Sequence, residues 1–301
     1  MKIFAYLLFI LVFTNIVKGQ EFRYIDIAGG KIHYKIIGEG KHILIINGGP
    51  GFSSEGFLSI AKEIAELGFA TILYDQRGTG KSTLTTIDST TITMDLMVQD
   101  IELIRKDLGL SSFILFGHSF GGMLANYYTS KFPNNVSAII HSSSGGLDLQ
   151  LIENAQGNLY ARLTEQEIDS LNFWRGQLQI NNTALNRIKF NQYLASAYVY
   201  HKNLIPVVSN RLMQGNLNLN RMVWNDLFSI NFDCKPTLRT FDKPVLILQG
   251  KQDIIPQSLA LTADSVFAKS NLFFIENCGH YGWLDQKETY LNHIKNFLNT
   301  L

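Results

Sequence analysis

The sequence predicts an α/β fold: a mostly parallel sheet of eight strands flanked by helices, with a helical cap inserted between the sixth and seventh strands. Three observations predict it. Short apolar, β-rich runs alternate with segments of helical periodicity, the pattern of a parallel sheet covered on both faces. The alternation stops between about Gly146 and Lys235, where the chain is helical, rich in Asn, Gln, Leu and Tyr, and without a clear strand. Finally, the 301 residues are 46% hydrophobic and 17% charged, a composition suited to buried strands and unlike that of disordered chains.

The elements follow in order. Phe22–Ile27 and Lys31–Ile37 flank Gly29-Gly30 and read as a hairpin. His42–Ile46 is a continuous apolar strand ending at glycines, Glu55–Leu67 has helical spacing, and Ala70–Tyr74 is a further strand. A helix from about Thr93 to Leu108 stops at Gly109, with Arg105 and Lys106 in its last turn, where they suit the helix dipole. Phe113–Phe116 is a strand, Met123–Lys131 a helix ended by Pro133, and Val136–His141 a strand. After the helical stretch come strands Val245–Gln249 and Asn271–Ile275 and a last helix, Gln286–Leu298. Within that stretch, Thr164 to Glu167 has the form of a capping box.

The first residues belong to a different category. Met1-Lys2 precede an apolar run from Ile3 to Phe13, followed by a polar stretch with Val17 and Gly19 at small-residue positions. This is the form of a secretory signal peptide, with Gln20 as the expected mature start and a periplasmic or secreted product. The apolar run is shorter than a bilayer span requires, and no later stretch is long enough, so no stable membrane span is expected after the signal is removed. The expected organisation is a signal at 1–19, a core at 20–146 and 238–301, and a cap at 147–237.

Charge and cysteine usage exclude several functions. Lys and Arg total 26, Asp and Glu 25, leaving a net charge of +1, so nothing suggests nucleic-acid binding. The only cysteines, Cys234 and Cys278, form no Cys-x-x-Cys pair and have no histidine at ligand spacing, so neither a disulfide scaffold nor a metal site is expected.

The chemistry centres on Gly117-His118-Ser119-Phe120-Gly121, a Gly-x-Ser-x-Gly motif that follows an apolar strand and precedes a helix. That context turns the chain sharply, strains the serine backbone and lifts its hydroxyl above the sheet at a helix N-terminus. A serine nucleophile needs a base, and the base an orienting acid. Asp253 follows strand Val245–Gln249, and His280 follows strand Asn271–Ile275. All three therefore fall at the same edge of one sheet, in the order Ser, Asp, His. The glycine-rich loop Asn47–Gly51 follows strand His42–Ile46 and can turn N–H groups toward a substrate carbonyl. Gly49 and Phe120 are the expected oxyanion donors. Gly78-Thr-Gly-Lys-Ser82 only superficially resembles a phosphate loop, since Asp75 stands where the first glycine would be required.

Taken together, NGGPG at 47–51, DQRGTGKS at 75–82, GHSFGG at 117–122, GKQD at 250–253 and GHYGW at 279–283 resemble the α/β-hydrolase superfamily, and more narrowly its proline iminopeptidase family of serine peptidases. The resemblance implies Ser119, Asp253 and His280 as a triad, no cofactor or metal, and release of an N-terminal residue from small or short-peptide substrates. It also implies structural roles for Asp75 and Arg77, with Arg77 bracing the oxyanion loop. Asn47 departs from the family, which usually has His there. The family holds the substrate's free amine with acidic cap residues, and no such motif matches residue by residue. Glu165 and Glu167 read as solvent-facing first-turn residues, which leaves Glu153 and Asp226 as candidates. Trp224 heads the aromatic candidates for a pocket, with Tyr160, Trp174, Tyr193, Tyr198 and Tyr200. An esterase, lactonase or other small acyl hydrolase using the same triad is the alternative. The oligomeric state is not readable from the sequence.

Overall fold

A computed structural model describes residues 21–301. The expected signal at 1–19 and its cut before Gln20 lie outside the described residues. The strands are β1 (Glu21–Ile27), β2 (Gly30–Ile37), β3 (Lys41–Ile46), β4 (Phe69–Tyr74), β5 (Thr83–Leu84), β6 (Phe113–His118), β7 (Val136–Ser142), β8 (Val245–Gly250) and β9 (Ser270–Ile275). They form one sheet in the order β1-β2-β4-β3-β6-β7-β8-β9, with β5 paired to β2 beside this path. The β1–β2 hairpin and the β2–β4 pair are antiparallel, and every pair from β4 to β9 along the path is parallel.

Among the described residues the sheet thus has nine strands where eight were expected. The addition, β5, is two residues long, too short to carry a periodic signal. It pairs closely because Gly30 has no side chain: a Cβ there would stand 2.0 Å from the Thr83 carbonyl oxygen.

The helices are α1 (Leu58–Ala65), α2 (Met94–Asp107), α3 (Phe120–Lys131), α4 (Gln150–Tyr160), α5 (Glu165–Ile180), α6 (Ala184–Tyr198), α7 (Ile205–Leu212), α8 (Leu217–Ser229), α9 (Lys235–Leu238), α10 (Gln257–Val266), α11 (Gly282–Asp285) and α12 (Lys287–Leu298). Two differ from expectation near the site. The segment read as one helix from Glu55 is a 3-10 turn, Ser54–Phe57, followed by α1. Helix α3 begins at Phe120, three positions before Met123, so it starts immediately after Ser119.

The continuous apolar strands divide their residues between two cores by pleat alternation. Leu44, Ile46, Ile72, Leu115, Ile139 and Ile247 face one side and pack with residues of α2, α3 and α10. Ile43, Ile45, Leu73, Ile114, Ile140 and Leu246 face the other and pack with α1 and α12. Each fully buried Ile or Leu contributes about 1.5–3 kcal/mol of hydrophobic stabilisation, so every central strand is anchored on both faces. Cys234 and Cys278 are free thiols, both buried. Among the described residues no helix is long and apolar enough to cross a membrane.

Arg77 does not brace the oxyanion loop. Its guanidinium makes a bidentate pair with Asp100 of α2, at 2.8 and 2.6 Å, and donates to the carbonyls of Thr91 and Leu96. Burial pushes the Asp100 carboxyl up to about 6, against the opposing pull of Arg77. Asp75 ties Ser54, just beyond the glycine loop, to the turn that follows β4. Its carboxylate accepts from the Ser54 N–H and hydroxyl, from the Lys81 N–H, and faces His33 Nδ1 at 3.1 Å. Gly80 is required beside it, since a Cβ there would stand 2.4 Å from the carboxylate.

Helices α4 to α8 lie between β7 and β8. The capping box at Thr164 and Glu167 forms, but Glu167 is not simply solvent-facing. It also accepts from the Ser196 hydroxyl and from Lys202 at 3.1 Å, tying α5 to the end of α6.

Buried histidines link stability to acid. His141 on β7 is fully buried and its Nε2 lies 2.8 Å from Asn126 Oδ1. Burial lowers its pKa from 6.5 to about 4. The unfolded chain therefore binds this proton first, and stability is lost as pH falls below about 6.5. Between pH 7 and pH 5 this one group should remove about 2 kcal/mol of unfolding free energy. Urea titrations of wild type and His141→Gln at both pH values should show a smaller acid loss in the variant by about that amount; equal losses would contradict the assignment.

Candidate active site

Ser119 joins β6 to α3 with φ 54° and ψ −124°, a conformation that L-residues rarely adopt. Its backbone is held on both sides: its N–H donates to the Ser142 carbonyl, and its carbonyl accepts from Gly122 and Gly145. Three glycines make the turn possible. A Cβ on Gly121 would lie 2.0 Å from the Ile46 carbonyl oxygen, one on Gly117 2.7 Å from the Gly121 carbonyl oxygen, and one on Gly48 2.7 Å from the Ser119 Cβ. The loop after β3 thus presses directly on the serine. Ser119 is the N-cap of α3, and Phe120 is its first residue, where the N–H has no intrahelical partner.

The glycine loop is fixed by side chains. Gln76 Nε2 donates to the Asn47 carbonyl at 2.8 Å, and Asn47 Nδ2 donates to the carbonyls of Gly48 and Phe52. Asn47, the departure from the family pattern, is therefore a brace within the loop. Gln76 was not singled out by the sequence, although it lies inside DQRGTGKS.

His280 Nδ1 lies 2.8 Å from Asp253 Oδ1, and both side chains are buried. The same carboxylate oxygen accepts from the Ile255 N–H, so it is oriented before it meets the ring. The histidine loop is pinned to the inserted helices: the His280 N–H donates to the Tyr198 carbonyl, and a Cβ on Gly279 would stand 2.6 Å from that oxygen. Asp285 completes the anchor, accepting from the N–H groups of Gly279, Tyr200 and His201. Asp285 is a missed residue; its place in the segment after GHYGW is the only sequence signal.

His118 packs beneath this pair. Its ring centroid lies 4.5 Å from that of His280, and its Nδ1 lies 3.0 Å from the Ser142 hydroxyl, which accepts from Tyr290. Burial, and then the charges of His280 and Arg211, hold its pKa well below the ordinary value, so it is neutral at pH 7.

Ser119, His280, Gly48 and Gly49 line a cavity of about 560 Å3. Its opposite wall comes from the inserted helices and includes Leu178, Phe190, Leu194, Arg211 and Asn220. The three residues expected to bind substrate are elsewhere. Glu153 is exposed on α4; Asp226 accepts from the Met94 N–H at the start of α2; Trp224 packs against the hydrophobic core. Asp226 was drawn away because a helix N-terminus needs an acceptor. Of the six aromatic candidates only Tyr198 lines the cavity. Among the described residues no group of three His, Cys, Asp or Glu side chains could hold a metal ion.

The geometry agrees with the comparisons to known proteins. A family model for the alpha/beta hydrolase fold matches residues 41–286. The chain belongs to the α/β-hydrolase fold family. It resembles proline iminopeptidases: that of Heyndrickxia coagulans is 28% identical, over 92% of this chain and 98% of the relative. That of Thermoplasma volcanium is 26% identical, over 92% and 96%. Among solved structures, a proline iminopeptidase from Mycobacterium smegmatis superposes with TM-score 0.75 at 20% identity, over 93% of this chain and 98% of that one. An esterase from Exiguobacterium antarcticum superposes with TM-score 0.70 at 20% identity, over 92% and 98%. At those identities the structures show the fold.

Gly48→Ala tests the close approach of the loop to the serine. The added methyl must displace the loop or Ser119, and kcat/KM on any cleaved substrate should fall by roughly 100-fold, the scale of a 1 Å misplacement. Retention of wild-type kcat/KM with unchanged thermal stability would show that the contact does not position the serine.

Proposed function

We propose that this chain is a serine hydrolase that cleaves a small acyl compound, an ester or amide without a recognised free α-amine, through an acyl-enzyme on Ser119. In this reading His280 takes the hydroxyl proton as the Ser119 oxygen attacks the carbonyl carbon. Asp253 holds the ring in the tautomer that leaves Nε2 free and stabilises the imidazolium. The oxyanion faces the N–H groups of Gly49 and Phe120. Collapse expels the alcohol or amine, protonated by His280, and a water activated by the same ring then releases the acid and restores the serine. The observation that carries the hydrolase reading is the strained Ser119 at the N-terminus of α3, sharing one cavity with His280, whose Nδ1 lies 2.8 Å from Asp253 Oδ1.

The choice of substrate rests on the cavity wall. Recognition of an α-ammonium needs an acceptor carboxylate. Among the described residues no Asp or Glu lines the cavity. A second reading, an aminopeptidase releasing proline or a similar residue, is supported by the similarity to proline iminopeptidases over most of the chain. Export to the periplasm or medium is part of the proposal and rests on the leader pattern of residues 1–19; helices of 147–237 act as the cap.

A panel of prolyl and alanyl arylamides, their N-blocked forms, and short-chain aryl esters separates the readings. Ester cleavage, or equal cleavage of blocked and free amides, is the expected result. Cleavage restricted to free-amine substrates establishes the aminopeptidase instead. In either case Ser119→Ala should abolish turnover and Asp253→Asn should lower kcat by roughly 10³–10⁴-fold; a Ser119→Ala protein that keeps the wild-type rate overturns both.

A further inference from the structure

The cavity wall carries three guanidinium groups, Arg175, Arg187 and Arg211. Two of them are partnered at the rim. Arg175 donates to Tyr160 and Asn172, and Arg187, which is exposed, donates to Asn182. Arg211 is different. It is only 8% exposed, yet among the described residues no carboxylate lies within ion-pair distance of it. Its Nη1 donates to the Ser53 carbonyl at 2.6 Å, and Tyr281 lines the same cavity. Its guanidinium carbon stands 4.8 Å from the Phe52 ring centre and 5.3 Å from that of Phe57. Asp75, whose field reaches it, is already committed to four other donors.

A buried cation with only neutral partners keeps a large desolvation cost. The planar fork of Arg suits a carboxylate, and aromatic faces on its flanks hold the fork in place without neutralising it. The charge lies close to the reacting groups: Arg211 lines the same cavity as Ser119 and His280, and Phe57, which it faces, lies 5.3 Å from the His118 ring, itself 4.5 Å from that of His280. We propose that Arg211 is a specificity-determining residue that binds a carboxylate on the substrate, so that the natural substrate class is an acyl ester or amide bearing a free carboxylate. This rests on reading Ser119 as the nucleophile. The apolar residues Leu178, Phe190 and Leu194 would cover the aliphatic or aromatic remainder.

The test uses a matched pair: the mono-4-nitrophenyl ester of adipic acid, an anion, and 4-nitrophenyl hexanoate, its neutral counterpart. Wild type should favour the anion in kcat/KM by roughly tenfold or more, mainly through KM, the scale of one charge-assisted contact. Arg211→Met should bring that ratio to about one, and Arg211→Lys, which keeps the charge, should retain part of it. A purely structural Arg211 would lower both substrates equally and leave the ratio unchanged, which overturns the proposal. So does a wild-type enzyme that cleaves the neutral ester equally well or better; Ser119-dependent turnover then stands without carboxylate recognition. Binding of adipic monoanilide to Ser119→Ala, measured by calorimetry against the neutral hexananilide, reads recognition apart from catalysis. Preferential binding of the anion with no turnover by wild type would keep carboxylate recognition at Arg211 and overturn the hydrolase reading together with the substrate class. Equal binding of the two anilides overturns the proposal.

Discussion

The backbone of Ser119 is the constraint on which the rest depends. A non-glycine residue at φ 54° and ψ −124° costs about 1–3 kcal/mol and persists only where its surroundings over-determine it. Those surroundings are β3, β6, β7 and α3, which approach so closely that Gly48, Gly117 and Gly121 cannot carry a Cβ. The parallel sheet buries apolar residues on both faces and supplies the rigidity. The strain then places a hydroxyl at the start of a 12-residue helix, at the positive end of its dipole.

The inserted helices have two separate effects on this centre. One is positional. The carbonyl of Tyr198 at the end of α6, and the backbone after it, hold the His280 loop through direct hydrogen bonds and through Asp285. The other is electrostatic. These helices face the cavity with arginines, and their acids lie elsewhere: Glu153 and Glu165 are exposed, Glu167 is in a capping box, and Asp226 is at the N-terminus of α2. The fold resembles that of proline iminopeptidases, while the cavity wall carries arginines and, among the described residues, no Asp or Glu.

What the sequence revealed follows from the range of each interaction. Ser119, Asp253 and His280 were legible because each follows an apolar strand, and strand order alone brings strand ends to one edge. The capping box at Thr164 was legible because it spans only four residues. Illegible features depend on contacts between distant segments. Arg77 meets Asp100 because α2 packs beside the loop, and Asp226 reaches Met94 across 132 positions. Arg211 carries no local signal: within α7 it reads as a last-turn cation, and only the fold buries it against Phe52 and Phe57. The two-residue strand β5 and the early start of α3 lie below the length at which periodicity speaks.

The central claim is that Ser119 is the nucleophile, activated by His280. Reaction with an aryl fluorophosphonate, followed by peptide mapping by mass spectrometry, tests it most directly. One stoichiometric adduct is expected, on Ser119, formed by wild type and greatly slowed in His280→Gln. An adduct on another side chain, or the same labelling rate without the His280 imidazole, would contradict it.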